Sequence, residues 1–330
     1  RRRLFDSVGD PILVQATARA FGALYRQNPG KFPAETQEAR YEERLIQAYP
    51  IHPEVFDRLY EDWSTLDKFQ RTRGVLQYMA IVIHRLWNNN DKDPLIMPGS
   101  LPLDDAIVLN KSIHYLPNGW EPVINREIDG PRSAAVEIDG HDTRFGSVQA
   151  ARRVARTIFL GSAPSNAAQA VRGIRVEGIL LGAAQPAQAV GTYEDVIKRL
   201  RDRLHYLYGE KDSYWFDTRP NLRREMESRK ANLKDTEDVQ PLLKDRVNRV
   251  FSKGNHFAGI HVFTPSADIP DDYGVGPKLV VLPPSAGYRR NDDGAALLAA
   301  NEILEKRGDS PRHKRNRLIF LAPDADRSES

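Results

Sequence analysis

Lys198, Arg201 and His205 lie three and four residues apart, a spacing that puts three basic groups on one face of a helix. Such a row can meet one run of phosphates or base edges of duplex DNA. Lys211, in the polar segment Gly209-Glu210-Lys211-Asp212-Ser213, would contact the backbone beside it. Arg152, Arg153 and Arg156 in QAARRVARTIFLG form a second basic group, which either touches phosphate or is a solvated face. The carboxylates promise less. Asp129, Glu137 and Asp139 could pair for acid–base work, but Gly-rich neighbours favour turn residues. Asp324 and Asp326 could hold Mg²⁺ as hard oxygen ligands, yet a loop that turns the chain explains them better, with no partner acids near. His52 and His84 lack metal-type spacing and fit capping and packing. No Ser/His/Asp order, metal box or nucleophile elbow appears, so a free-standing enzyme lacks support.

The elements that must position these groups follow from hydrophobic period. Tyr193, Val196, Ile197, Leu200 and Leu204 recur on one face of a helix, with Thr192 and Asp195 as an expected capping box. Aromatic runs HYLY and YWFD then flank the polar tip, which reads as a hairpin. IRVEGILLGAA upstream is a second helix, and Gln149 to Gly161 a third. Helix, helix, basic helix and hairpin is the order of a winged helix, used either on DNA or purely as a protein-packing module. Ser162 to Ala170 is a small-residue linker and an expected mobile loop. Toward the N-terminus, Asp10-Pro11 and His52-Pro53 start helices, and a longer helix follows Ser64-Thr65-Leu66. At the other end, FAGIHVFT, PKLVVLPP and RLIFLAP read as buried strands with a helix over Gly294 to Arg307, a parallel α/β arrangement.

We therefore expect an α+β multidomain chain: residues 1–90 a helical bundle, 91–145 a Pro-rich connector packed on it, 146–235 a winged helix with flanking helices, and 236–330 an α/β module cut short at its C-terminus. The start Arg1-Arg2-Arg3-Leu4-Phe5, without Met, suggests a piece of a longer polypeptide. With 330 residues, 40% hydrophobic and 28% charged, the composition is ordinary for a globular protein. No apolar run is long enough for a membrane span and no secretory signal is visible. The absence of cysteine excludes disulfides, thiolate catalysis and Cys-ligated zinc, and fits a cytoplasmic location. A net charge of +3 is too small to demand nucleic acid, so local clusters must carry that case.

Four stretches carry a resemblance: YPIHPEVFDRLYEDWSTLDKFQRTRGVLQYMA, PLIMPGSLPL, DRLHYLYGEKDSYWFDTRPNL and RNRLIFLAPDADR. Together they make the chain similar, over nearly its whole length, to the large prokaryotic AAA+ ATPases of the domain-of-unknown-function family four-nine-nine. The resemblance implies that residues 1–90 are lid-like and pack on an AAA+ core of the same chain, which binds ATP and Mg²⁺. It implies restriction or defence-type work on double-stranded DNA, alongside methyltransferase or helicase partner subunits or as a homo-oligomer. It also implies a nucleotide-sensing arginine at the start of a lid helix, where Arg73 and then Arg71 of FQRTRG would stand. Guanidinium suits that role because it stays charged and grips phosphate bidentately.

The sequence departs from that family at one point: GxxxxGK[ST] occurs nowhere in it. The two surviving readings are the lid and DNA-contacting part of a nucleotide-driven motor, and a non-catalytic scaffold whose winged helix contacts subunits. Lacking the phosphate cradle, the chain alone is expected to hydrolyse ATP no faster than background in a phosphate-release assay.

Overall fold

The computed structural model describes residues 4–5, 9–164, 172–251, 256–272, 274, 276–290 and 294–328; most of the small-residue linker, 165–170, lies outside the described residues. The chain divides into two compact units, residues 1–227 and 228–330.

The first unit opens with α1 (Pro11–Gln27), α2 (Ala39–Ala48), α3 (Pro53–Glu61) and α4 (Arg71–Asn88). Asp10 caps α1 through a bond from the Ile12 N–H, and His52 caps α3 by accepting from Glu54 N–H; a proline opens each helix. Next come α5 (Ala106–Tyr115), the single turn α6 (Trp120–Val123), α7 (Ala134–His141) and the turn α8 (Thr143–Gly146). Then follow α9 (Ala150–Ser162), β1 (Ile174–Arg175), α10 (Val176–Ala183), α11 (Val190–Arg203), β2 (Leu207–Glu210) and β3 (Ser213–Phe216). The three strands form an antiparallel sheet in the order β1-β3-β2. One apolar core runs from Ala18 to Phe216 and takes in residues from 1–90, 91–145 and 146–216 alike.

α12 (Leu222–Asn232) carries the division between the units, and α13 (Gln240–Phe251) follows. The second unit holds β4 (Gly259–Val262), β5 (Lys278–Val281), α14 (Ala295–Glu305), the short ribbon β6 (Lys306–Arg307) and β7 (Ser310–Pro311), and β8 (Leu318–Leu321). β4, β5 and β8 pair in parallel in that order. Both faces of β5 are buried, Val280 in one cluster with Ala296 and Ile303, Leu279 and Val281 in another beside Val247 and Phe251. That accounts for its unbroken apolar run, which alternation would not have produced. No described helix is long and apolar enough to cross a membrane.

The helix α9 organises the first unit. Nearly every residue of it is buried, arginines included: Arg153 and Arg156 are each 6% exposed. Their charges are answered by acids from residues 91–145. Asp93 pairs with Arg153 at 2.5 Å, while Arg153 Nε also donates to the Ala183 carbonyl. Asp129, with a fully buried side chain, accepts from Arg152 Nε (2.7 Å) and Arg156 Nε (2.8 Å), and from the Asp104 backbone N–H. Asp104 supplies a second carboxylate to both arginines. Asp139 accepts from the backbone N–H groups of Ala151 and Arg152, where the helix's positive end favours a carboxylate. The expected solvated or phosphate-touching arginines are therefore structural, and the expected turn acids Asp129 and Asp139 are their partners and cap. Only Glu137 stays at the surface, paired with Arg203.

Burial pushes the Asp129 carboxyl above its ordinary value and the Arg156 guanidinium below its own, despite their contact. Removing both from water costs much of what their attraction returns, so the pair fixes geometry more than it adds net stability. Breaking one side alone is different. Asp129→Ala should cost about 3–5 kcal/mol by leaving the buried Arg156 guanidinium only the more distant, exposed Asp104. Glu137→Ala, at an exposed pair, should cost about 1 kcal/mol or less; urea unfolding of the two variants measures both.

Candidate functional site

The helix α11 is held by Val190, Tyr193, Val196, Ile197 and Leu200, all buried against the core. It starts two residues before Thr192, with Ala189 at the cap and no side-chain cap, so the expected capping box does not form. Thr192 is instead buried in the first turn, and Asp195 pairs with Arg144 at 3.1 Å.

One flank of α11 is committed within the unit. Arg199 lies 3.7 Å from Asp142, and Arg203 pairs with Glu137. Arg144 and Arg199 also lie against the ring of buried Phe145, 4.7 and 4.8 Å from its centroid, a favourable cation–π arrangement. The outward flank carries Lys198, exposed and with no ion partner among the described residues, and Arg201, exposed and 3.3 Å from neighbouring Asp202. Arg224 also answers Asp202, at 3.1 Å.

His205 does not extend this row. The helix ends at Arg203 and Leu204 is extended, so His205 turns toward the core, where its backbone N–H donates to Glu127 Oε2 at 2.9 Å. Two of the three expected residues therefore share a helical face. Lys211 stands at the hairpin tip, as expected, but the tip is tighter than the polar run suggested. Gly209, Glu210 and Ser213 belong to the strands, and only Lys211 and Asp212 turn the chain, with φ of 46° and 66°. Positive φ at both positions is the type I′ geometry that matches strand twist. Arg152 and Arg153, the remaining expected DNA contacts, are inside the unit, with their charges answered as described.

Arg71 and Arg73 lie elsewhere in the first unit, at the start of α4. Gln70 and Arg71 take left-handed φ (53° and 47°), and the first turn has no acid and no side-chain cap. A Cβ on Gly74 would sit 1.5 Å from the Phe69 carbonyl oxygen, so only glycine lets the chain enter the helix this tightly. Both arginines are exposed, with no ion pair among the described residues. Two guanidinium groups beside uncapped N–H groups can meet an anion such as a terminal phosphate.

The other candidates are occupied. His52 Nε2 is 2.9 Å from the Tyr25 hydroxyl, and burial pushes it down to about 3, so it is neutral. His84 bonds Asn88. In the second unit, Asp326 pairs with Arg289 at 2.9 Å and Asp324 accepts from the Asp326 N–H. No group of three or more potential metal ligands occurs among the described residues.

Glu127 and Glu54, which no sequence pattern marks, are both buried carboxylates. Burial pushes Glu127 up to about 7, against the backbone N–H groups of His205 and Tyr206, and pushes Glu54 up to about 7 against Arg58. Neither lies in a spacing pattern; each becomes special only through the residues that later cover it.

A protein-family model described as the DUF499 second domain matches residues 1–216. No curated protein and no solved structure matches the chain.

Glu127 also makes stability depend on pH. Its folded value of about 7 lies above the ordinary 4.5, so the folded chain binds this proton more tightly than the unfolded one. The stability it contributes is complete below the ordinary value and is lost as pH rises through the folded one. The loss is on the order of a few kcal/mol, and Glu54 acts in the same direction. Urea midpoints should therefore fall from about pH 4.5 to about pH 7, and Glu127→Gln should make that fall shallower.

Proposed function

Because the chain belongs to the DUF499 second-domain family, we propose that it is the lid-like and winged-helix part of an AAA+ ATPase that acts on double-stranded DNA. The observation that carries this reading is the path from α9 through β1, α10 and α11 to the β2–β3 hairpin, with the sheet order β1-β3-β2. A helical trio beside a small antiparallel sheet supports a winged-helix reading, in which the last helix would face the major groove. Lys198 and Arg201 on the outward flank of α11, with Lys211 at the tip, supply phosphate contacts of the kind such docking uses.

Support for a nucleotide link comes from α4. Arg73, with Arg71 beside it, is available at an uncapped helix start, as a sensor of terminal phosphate would be. The chain has no P-loop of its own, so ATP and Mg²⁺ would be held by the AAA+ core of the parent protein. Packing offers a mechanical route between the two ends. Trp63 stacks on Tyr78 of α4 at 5.6 Å, and its indole N–H donates to the Leu160 carbonyl of α9 at 2.8 Å. α9 in turn backs α11, so a tilt of α4 moves elements that share one core.

A second reading, a scaffold that contacts protein subunits, draws on charge. Arg144, Arg199, Arg203 and Arg224 all answer acids within the chain, which leaves α11 a thin basic stripe. Fluorescence anisotropy with a duplex oligonucleotide, repeated across salt, separates the two. Lys198→Ala with Arg201→Ala should weaken binding and lower the salt slope by about 1.8, two phosphate contacts. No binding at low salt, or an unchanged double variant, would leave the scaffold. In the intact parent, Arg73→Ala should impair ATP hydrolysis far more than Arg85→Ala, whose side chain pairs with Asp105. Equal effects would remove the sensing role.

A further inference from the structure

The second unit carries a local excess of positive charge. Residues 305–317, EKRGDSPRHKRNR, hold six Lys and Arg against Glu305 and Asp309, whereas the whole chain carries only +3. The segment runs from the end of α14 through the β6–β7 ribbon, which pairs Lys306 with Pro311 and Arg307 with Ser310, to the start of β8.

Beside α11, Arg144, Arg199 and Arg203 are answered by carboxylates. In this segment the answers come from backbone carbonyls instead. Buried Arg312 donates to the carbonyls of Ile303 (2.7 Å), Ile269 (3.2 Å) and Ser266 (3.1 Å), which ties the segment to the loop after β4. Arg307 Nε donates to the Ala267 carbonyl and Arg315 Nε to the Arg312 carbonyl, each at 3.2 Å, and Arg317 bonds the Gly274 carbonyl. A carbonyl satisfies an N–H but brings no formal charge, so the positive charge stays. Acids of the facing loop are engaged elsewhere. Asp271 accepts from the backbone N–H groups of His313 and Lys314, and Asp272 pairs with Lys278 at 2.6 Å. Lys306, Arg307, Arg315 and Arg317 form no ion pair among the described residues.

Arg307 and Arg315 are exposed, and with Nε held, their Nη groups make no hydrogen bond among the described residues. A guanidinium whose plane is fixed in this way can grip two oxygens of one phosphate and loses little freedom in doing so. The segment contains no Phe, Tyr or Trp, so the base stacking used by single-strand binders has no platform here. Such a surface suits a polymer with closely spaced phosphates. We propose that the ribbon and the loop after it bind the phosphate backbone of double-stranded nucleic acid without reading its sequence, on a surface separate from α11 and independent of its role.

Fluorescence anisotropy with a duplex DNA oligonucleotide tests this in a chain already carrying Lys198→Ala and Arg201→Ala. Binding should persist there and strengthen as salt falls. Adding Arg307→Gln and Arg315→Gln should weaken it more than tenfold at about 0.1 M salt and lower the salt slope by about 1.8. Adding Lys244→Gln and Arg246→Gln instead removes the same charge from exposed positions of α13 and should leave the slope unchanged. Should the arginine pair of Gln variants fail to fold, Arg307→Lys with Arg315→Lys decides: charge is kept and the fork lost, so affinity should fall severalfold at an unchanged slope. Equal affinity in that Lys variant overturns the proposal. So does a background chain that binds no duplex, or an equal loss from the α13 pair. Displacement of the duplex by poly-glutamate as readily as by unlabelled duplex overturns it too, and identifies an acidic polypeptide as the partner.

Discussion

A carboxylate with no access to water, Asp129, sets the terms for the first unit. Its two oxygens meet Arg152, Arg156 and the Asp104 backbone, and together with Asp93 on Arg153 they allow a helix with three arginines to sit inside a core. Without these acids α9 could not be buried on all sides, since isolated guanidinium groups do not leave water. Without a buried α9, the sheet, α10 and α11 would have no common support. The segment 91–145, whose prolines suggest a connector packed on the helical bundle, is the source of that neutralisation.

This arrangement constrains function as well as fold. Arginines in the helices beside the small antiparallel sheet invite a nucleic-acid reading, yet three of them work inward. The outward charge rests on Lys198, Arg201 and Lys211, and any recognition of DNA by this face depends on few contacts and on orientation. Directional ion pairs specify which neighbours a helix can have, where apolar packing would tolerate several.

Local signals in the sequence served well wherever one element explained itself. Asp10-Pro11 and His52-Pro53 open helices, the apolar stripe of α11 is buried, and the three C-terminal apolar runs form a parallel sheet. Legibility failed where the partner was distant. The arginines of α9 look like a solvated face because hydrophobic period sees only the helix, and their acids lie up to 60 residues earlier. His205 looked helical because its spacing from Arg201 was right, but Leu204 ends the helix and Glu127, 78 residues upstream, takes the His205 N–H. Lys211 stands at the tip that the polar run marks, yet its turn type depends on backbone angles that composition does not encode.

The order of charges along α9 and its partners also bears on how the chain is made. Asp93 leaves the ribosome 60 residues ahead of Arg153, and Asp129 precedes Arg156 by 27. At roughly 5–20 residues per second, the acids wait several seconds before their counter-ions exist. During that interval, closing the helices up to α8 over the space α9 will fill would strand the Asp129 carboxylate. Synthesis of one basic helix then favours condensation of the helices before it, and a ribosome paused before that helix would expose an incomplete apolar core to chaperones.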